Sequence, residues 1–239
     1  MKKIALVSLM TSLSLNSFVH AGAMGDASCT PSAFVALEGG YSWNKINGFE
    51  FTSSTTTISA VKQQNQYTVR LAAGLIHMMD DDWGLTGELG WGYYGRTTFN
   101  LPVISLAFPI NATSKYTISG FDALIGGAFI QPYYSLSLKV GGLIQNMQQS
   151  NTASLNYLGG AYTINEKHTS AAVLPALKLG GAYNIDANWG ITASYLFAFG
   201  ASTGTTATYT PAAATNFSLD INTQNPTINA FMIGVQYSA

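Results

Sequence analysis

The amino-acid sequence predicts an all-β fold, a membrane-spanning antiparallel up-and-down β-barrel of eight strands. Three observations carry this expectation. Only 9% of the 239 residues are Asp, Glu, Lys or Arg, against roughly 25% in an ordinary soluble domain. After the N-terminal segment there is no apolar run of the roughly 18 residues a membrane helix needs, which excludes a helical bundle. From Ser32 onward, apolar residues recur with period two between turn signals, which is strand behaviour. Aromatics at 12% argue against disorder, and a net charge of −1 without a basic cluster argues against a nucleic-acid partner.

The elements follow in chain order. Lys2 and Lys3 precede an apolar run from Ile4 to Val19, and Val19-His20-Ala21 supplies small residues for cleavage after Ala21. Residues 1–21 therefore read as a secretory signal peptide, and 22–31 as a short tail. Cys29 is the only cysteine, so no internal disulfide is possible. Asp26 stands where a lipid-modified cysteine would need an apolar residue, so Cys29 reads as an unpaired thiol.

The first strand, Ser32 to Asn44, sets Val35, Leu37, Tyr41 and Trp43 against Glu38 and Ser42. The second, Gln66 to Met78, sets Tyr67, Val69, Leu71 and Leu75 against Arg70. The third, from Trp83, sets Leu85, Leu89, Trp91 and Tyr93 against Glu88, Tyr94 and Arg96. In the fourth, Lys115 to Ile130, Phe121, Ile125 and Phe129 oppose Asp122; in the fifth, Tyr133 to Asn146, Leu136, Leu138 and Val140 oppose Lys139. Ser170 to Ile185 opposes Val173, Leu177 and Leu179 to Lys178. Trp189 to Gly200 and Pro226 to Tyr237 complete the set.

One face of each strand is apolar; the other is mostly Gly, Ala, Ser and Thr with isolated charges. That fits a narrow, filled interior with lipid outside. Tight turns (Met79–Asp82, Gln131-Pro132, Asp186–Asn188) alternate with long segments at 45–65, 97–114, 147–169 and 201–225. Short turns in the periplasm, long loops outside and periplasmic termini are the outer-membrane arrangement. Aromatics gather near strand ends: Trp83, Phe129, Tyr133, Trp189 and Tyr237 below, Trp43, Tyr67, Tyr116 and Phe199 above.

With its signal peptide, eight alternating strands, three tight turns and four long loops, the chain resembles the small eight-stranded outer-membrane barrels. These are the OmpA transmembrane domain, OmpX and the opacity-type adhesins. The resemblance covers the whole mature chain, residues 22–239, and implies a surface barrel held in outer-membrane lipid and lipopolysaccharide and inserted by the barrel-assembly machinery. Two departures stand out. No peptidoglycan-binding domain, as in full-length OmpA, is expected within these residues, and Tyr237 is followed by Ser238 and Ala239 where the family places a terminal aromatic. A ten-strand count, with 153–164 adding a hairpin, is the alternative; segments 49–61 and 153–164 otherwise extend hairpins above the membrane.

Seven charged residues are expected to face inward: Glu38, Arg70, Glu88, Arg96, Asp122, Lys139 and Lys178. They read as an ion-pair network plugging the lumen, or as a gate in which exchange of partners opens a thin path. His168-Thr169-Ser170, with Glu166 nearby, is similar to the His and Ser of the outer-membrane lipid A deacylases, but nothing else supports lipid A modification. No enzyme, cofactor or metal site is expected, since no ligand spacing or nucleotide fingerprint occurs. The segment Leu101–Ile110 is strongly apolar, and Leu101, Val103, Ile104, Leu106, Phe108 and Ile110 either pack on the barrel rim or form a contact patch. The functional expectation is a structural or surface-interaction barrel with adhesin-like loops that reach host or surface ligands. A narrow gated channel or small-hydrophobe conduit is the alternative.

Overall fold

The computed structural model describes residues 32–53, 56–101, 110–157, 160–209 and 217–239, with side chains outside 45–64, 99, 101–112, 151, 153–164, 166 and 201–224. The proposed signal segment and tail, and the stretch 102–109, lie outside the described residues. Ten strands form: β1 (Ser32–Ser53), β2 (Thr56–Met78), β3 (Trp83–Leu101), β4 (Ile110–Ile130), β5 (Tyr134–Tyr157), β6 (Gly160–Asn184), β7 (Trp189–Ala198), β8 (Ala201–Tyr209), β9 (Phe217–Asn225) and β10 (Ile228–Ser238).

Eight of them close a ring. β1 to β7 pair antiparallel in sequence order, β7 pairs β10, and β10 returns to β1 from Phe34↔Ser238 to Asn44↔Ile228. Closure removes the sheet edges that a membrane interior would leave without hydrogen-bond partners. β8 and β9 stand outside the ring as a hairpin, with β9 laid on the far end of β1 between Glu50↔Asp220 and Ser53↔Phe217. The segment 153–164 belongs to the β5–β6 hairpin and adds no strand to the ring.

Period-two alternation directs each side chain. On β7, exposed and buried residues alternate without a break from Trp189 to Leu196. The outer face carries Val35, Leu37, Leu71, Leu89, Phe121, Leu138, Ile144, Leu179, Ile191 and Ile233, all exposed. In water this would be an aggregation surface; in lipid it is the stabilising one. Rings border it toward the short turns: Trp83 sits edge-on to Phe129 at 5.2 Å and Trp189 to Tyr237 at 5.1 Å. At the other end Tyr41 and Tyr67 lie 5.0 Å apart. Tyr116, expected in that upper belt, instead points inward at 2% exposure, because it shares the parity of Asp122 on β4.

The short turns are closed by local bonds. The Met79 amide donates to the Trp83 carbonyl at 2.8 Å. The Asp186 carboxylate accepts from the Trp189 amide at 2.7 Å and the Asn188 amide at 2.8 Å, an Asx-type turn. Those donated bonds hold the Asp186 carboxyl below its ordinary range.

The expected long loops are, where described, continuations of the strands. β5 has 24 residues, about 80 Å at strand rise, far more than a bilayer needs. Thr, Ser and Asn at alternating positions let the ladders run on, since Thr suits a pleated strand while polar side chains face water. Above the membrane band the ring divides. β2 and β3 pair only from Val69↔Tyr93 to Met78↔Gly84, and β6 and β7 only from Ala176↔Ala198 to Asn184↔Gly190. Two four-stranded sheets therefore rise from one ring, β8-β9-β1-β2 and β3-β4-β5-β6.

The division between β2 and β3 begins at a bulge. The β3–β4 register shifts between Tyr93 and Gly95, making Tyr94 the extra residue. Gly95 has φ +109°, and a Cβ there would fall 2.2 Å from Gln66 Cβ. Side chains replace the lost ladder: Ser42 and Asn44 donate to the Tyr94 carbonyl at 2.6 and 2.8 Å. Gln66 accepts from the Arg96 amide at 3.0 Å, and Thr68 donates to the Tyr93 carbonyl at 2.8 Å.

Two outcomes are expected. Unheated protein in detergent migrates differently from boiled protein on a gel; identical mobility contradicts a closed barrel. Gly95→Val, which meets both the positive φ and Gln66, destabilises the barrel by about 1–3 kcal/mol, read as a lower denaturant midpoint for the loss of that gel shift.

Candidate functional site in the lumen

Inward-facing residues form three layers. Nearest the short turns is a vestibule of small and polar side chains, including Ala36, Thr86, Ser135, Ser137, Thr192, Ser194 and Gln236, open to solvent at its lower end. Above it lies a band of charges, and above that a dry layer of Ile118, Leu143, Leu174, Leu196, Ile228 and Met232, each 0–1% exposed.

The strands deliver the charges to one level. Glu38 and Arg70 are directly paired across β1–β2, and Lys139 and Lys178 across β5–β6. Gly90 is paired with Asp122 across β3–β4, leaving open the space that the Arg70 head group fills. Arg70 is the hub, 0% exposed. Its Nη1 lies 2.7 Å from Glu38, and its Nη2 lies 2.5 Å from both Glu88 and Asp122. Nε donates to the other Asp122 oxygen at 2.9 Å, so the Arg–Asp pair is bidentate. Lys178 bridges Glu38 at 2.9 Å and Glu88 at 2.7 Å. Lys139 donates to Glu88 and rests 5.1 Å over the Phe34 ring. Ser194 donates to Glu38 at 2.8 Å.

Six of the seven sequence-selected charges, Glu38, Arg70, Glu88, Asp122, Lys139 and Lys178, thus meet in one cluster of three acids and three bases. Arg96 does not join them. It is exposed, because the extra residue at Tyr94 inverts the inside–outside parity of β3: Tyr94 and Thr97 are buried while Arg96 points out. Simple alternation through a bulge misplaces every residue beyond it. With Arg96 outside, the formal charge of the buried cluster is zero.

The apolar plug above the cluster was not anticipated. Its signal lay in the inward parity of Leu124, Leu143, Leu174 and Leu196, which interrupts the small-and-polar face of four neighbouring strands. Of the apolar contact patch, Val103, Ile104, Leu106 and Phe108 lie outside the described residues, while Leu101 and Ile110 end β3 and β4 with side chains not described. His168 is exposed, and the Ser170 hydroxyl donates to Asn225 at 3.0 Å. Among the described residues no His, Cys, Asp and Glu grouping could hold a metal.

Chemically, the cluster cross-links six of the ring's eight strands, β1 to β6. Arg70→Leu strands three carboxylates around two lysines and is expected to cost about 3–5 kcal/mol, measured by unfolding from lipid or detergent. Lys139→Gln, which removes a group bordering the open vestibule with one carboxylate partner, loses less. Gly90→Val destabilises like Arg70→Leu, since even its Cβ falls 2.4 Å from Arg70 Nη2. Equal stability of Arg70→Leu and the parent would remove the cluster's structural role.

No protein-family model and no curated protein sequence matches the chain. Solved structures do. The attachment invasion locus protein Ail of Yersinia pestis, in complex with the heparin analogue sucrose octasulfate, is 17% identical at a TM-score of 0.36, covering 87% of this chain and 99% of that one. Neisserial surface protein A is 13% identical at a TM-score of 0.36, covering 86% and 96%. The outer membrane protein OprG of Pseudomonas aeruginosa is 12% identical at a TM-score of 0.42, covering 87% and 96%. These likenesses are of fold, at scores too low to carry more. By its own pairing and packing, the chain is a closed eight-stranded antiparallel β-barrel with an apolar outer wall and a filled lumen.

Proposed function

We propose that the chain resides in a bacterial outer membrane, short turns and termini toward the periplasm, as a closed scaffold presenting long hairpins outside. Its role on this reading is surface interaction of the adhesin type. The observation that carries it is the sealed interior: a charge-balanced cluster beneath a layer of side chains that are 0–1% exposed. A lumen filled in this way contributes rigidity, and a rigid ring with hairpins rising from one end suits contact with a partner beyond the lipid headgroups. The apolar stretch Leu101–Ile110, which connects β3 to β4 along the chain, is the contact patch on this reading.

A gated channel is the second reading, favoured by shared carboxylates: Glu88 meets Arg70, Lys139 and Lys178, and Glu38 meets Arg70 and Lys178. Partners so arranged have an alternative close at hand. Against it stands the plug, which would also have to part. Planar-bilayer recordings separate the two. The scaffold reading expects no resolved openings from the parent, and none from Glu38→Ala. Steady openings that change with Glu38→Ala or Lys139→Ala favour the channel. Replacing 101–110 with a Gly/Ser segment is expected to reduce binding to host cells on the order of tenfold while leaving the gel shift intact. Undiminished binding would contradict the adhesin role of that stretch.

A further inference from the structure

The bulge that removes Arg96 from the lumen places it somewhere specific. On the outer wall of β3 it stands just beyond Trp91 and Tyr93, at the upper border of the apolar band. The same wall continues across β4, β5 and β6. Lys115 is paired with Ser150, and Ser150 with Lys167, so the two lysines are level and two strands apart, about 10 Å. Arg96 is diagonal to Lys115, since its own partner on β4 is Thr117. Arg96, Lys115 and Lys167 are all exposed, and no ion pair engages them among the described residues. Between them and the last apolar residues, Phe121, Ile144 and Val173, the outward positions are Ser119, Thr117, Asn146, Gln148, Ala171 and Thr169. None of those is a carboxylate.

Charge is sorted along the barrel axis as well. Beyond the signal segment, every Lys or Arg outside the lumen (Lys45, Lys62, Arg96, Lys115, Lys167) lies on a strand extension away from the short turns. Glu50, Glu166 and Asp220 share those extensions and leave them a net two positive charges, whereas Asp80, Asp81, Asp82 and Asp186 occupy the short-turn end without a cation. Such polarity is complementary to a membrane whose outer leaflet carries fixed negative charge.

We propose that the outer wall of β3–β6 binds the phosphorylated headgroup of an outer-leaflet glycolipid, with Arg96, Lys115 and Lys167 meeting its phosphates. The neutral polar rows beneath them meet its sugar hydroxyls. Arg96 sits one step above the aromatic border, while Lys115 and Lys167 stand three outward positions above the last apolar residue. Phosphates at two depths in a tall headgroup are thereby matched, which a simple phospholipid does not offer. The bulge serves this end: it turns one cation outward at the interface, where guanidinium–phosphate pairing is strong.

This assignment rests on the outer-membrane placement proposed above, but symmetric bilayers test it without depending on orientation. Full-length protein in phosphatidylcholine nanodiscs containing a minor fraction of rough-type lipopolysaccharide, phosphorylated on both its lipid A and its inner-core sugars or dephosphorylated, is released into a mass spectrometer and the retained lipid counted. The parent is expected to retain the phosphorylated form preferentially. Arg96→Gln/Lys115→Gln/Lys167→Gln is expected to lose that preference on the order of tenfold, with its gel shift unchanged because all three side chains are exposed. Lys45→Gln/Lys62→Gln, on the other sheet, should keep it. Equal retention of both lipids by the parent, or undiminished preference in the triple variant, overturns the assignment. So does soluble inositol hexakisphosphate displacing the lipid, which would mark a general polyanion surface.

Discussion

A barrel that turns its apolar face to lipid cannot use that face as a core, so its stability as a ring depends on what fills the lumen. Here the filling is organised by one guanidinium. Arg70 reaches carboxylates from β1, β3 and β4, and two lysines from β5 and β6 close the circuit through Glu38 and Glu88. Charges in so dry a setting are tolerable only when paired and hydrogen-bonded. The pairing therefore constrains the ring's register: shifting one strand by two residues would strand an ion several ångströms from its partner. Gly90 has no side chain because Arg70 lies where one would be.

The same constraint explains the layering. A cluster open to water on both sides would be screened and would hold the ring weakly. The plug of Leu143, Leu174, Leu196, Ile228 and Met232 keeps water from its upper side. Local dielectric falls and each pair strengthens. Below, Glu38, Glu88, Lys139 and Lys178 line the vestibule, and Lys139 is the most exposed of the cluster, at 6%. Rigidity below and extended hairpins above are two consequences of one chain leaving the membrane band with its ladders intact.

The bulge at Tyr94 links interior, wall and hairpins. It ends the β2–β3 ladder, so the upper strands separate into two sheets. It carries the Tyr94 ring into the lumen, where its hydroxyl lies 3.5 Å from Asp122. It also sends Arg96 outward. The local cost is a positive φ, which glycine accepts, and three displaced backbone groups, each met by a side chain from β1 or β2.

Much of this was legible in the residues themselves. Alternation at Trp189–Phe197 or Leu136–Val140 shows which side chains meet lipid, because a pleated strand has only two faces. The same logic places Glu38, Arg70, Glu88, Asp122, Lys139 and Lys178 inside, and the turn at Asp186 is readable from Asx chemistry alone. Parity is a local property, however, and it fails where the chain inserts a residue: Arg96 was misread for that reason. Which inward charges share a carboxylate, that β8 and β9 pair with each other and β9 with β1, and that four inward leucines seal the lumen depend on strands far apart in sequence arriving at one height. Only ring closure, with its stagger between neighbouring strands, sets those heights.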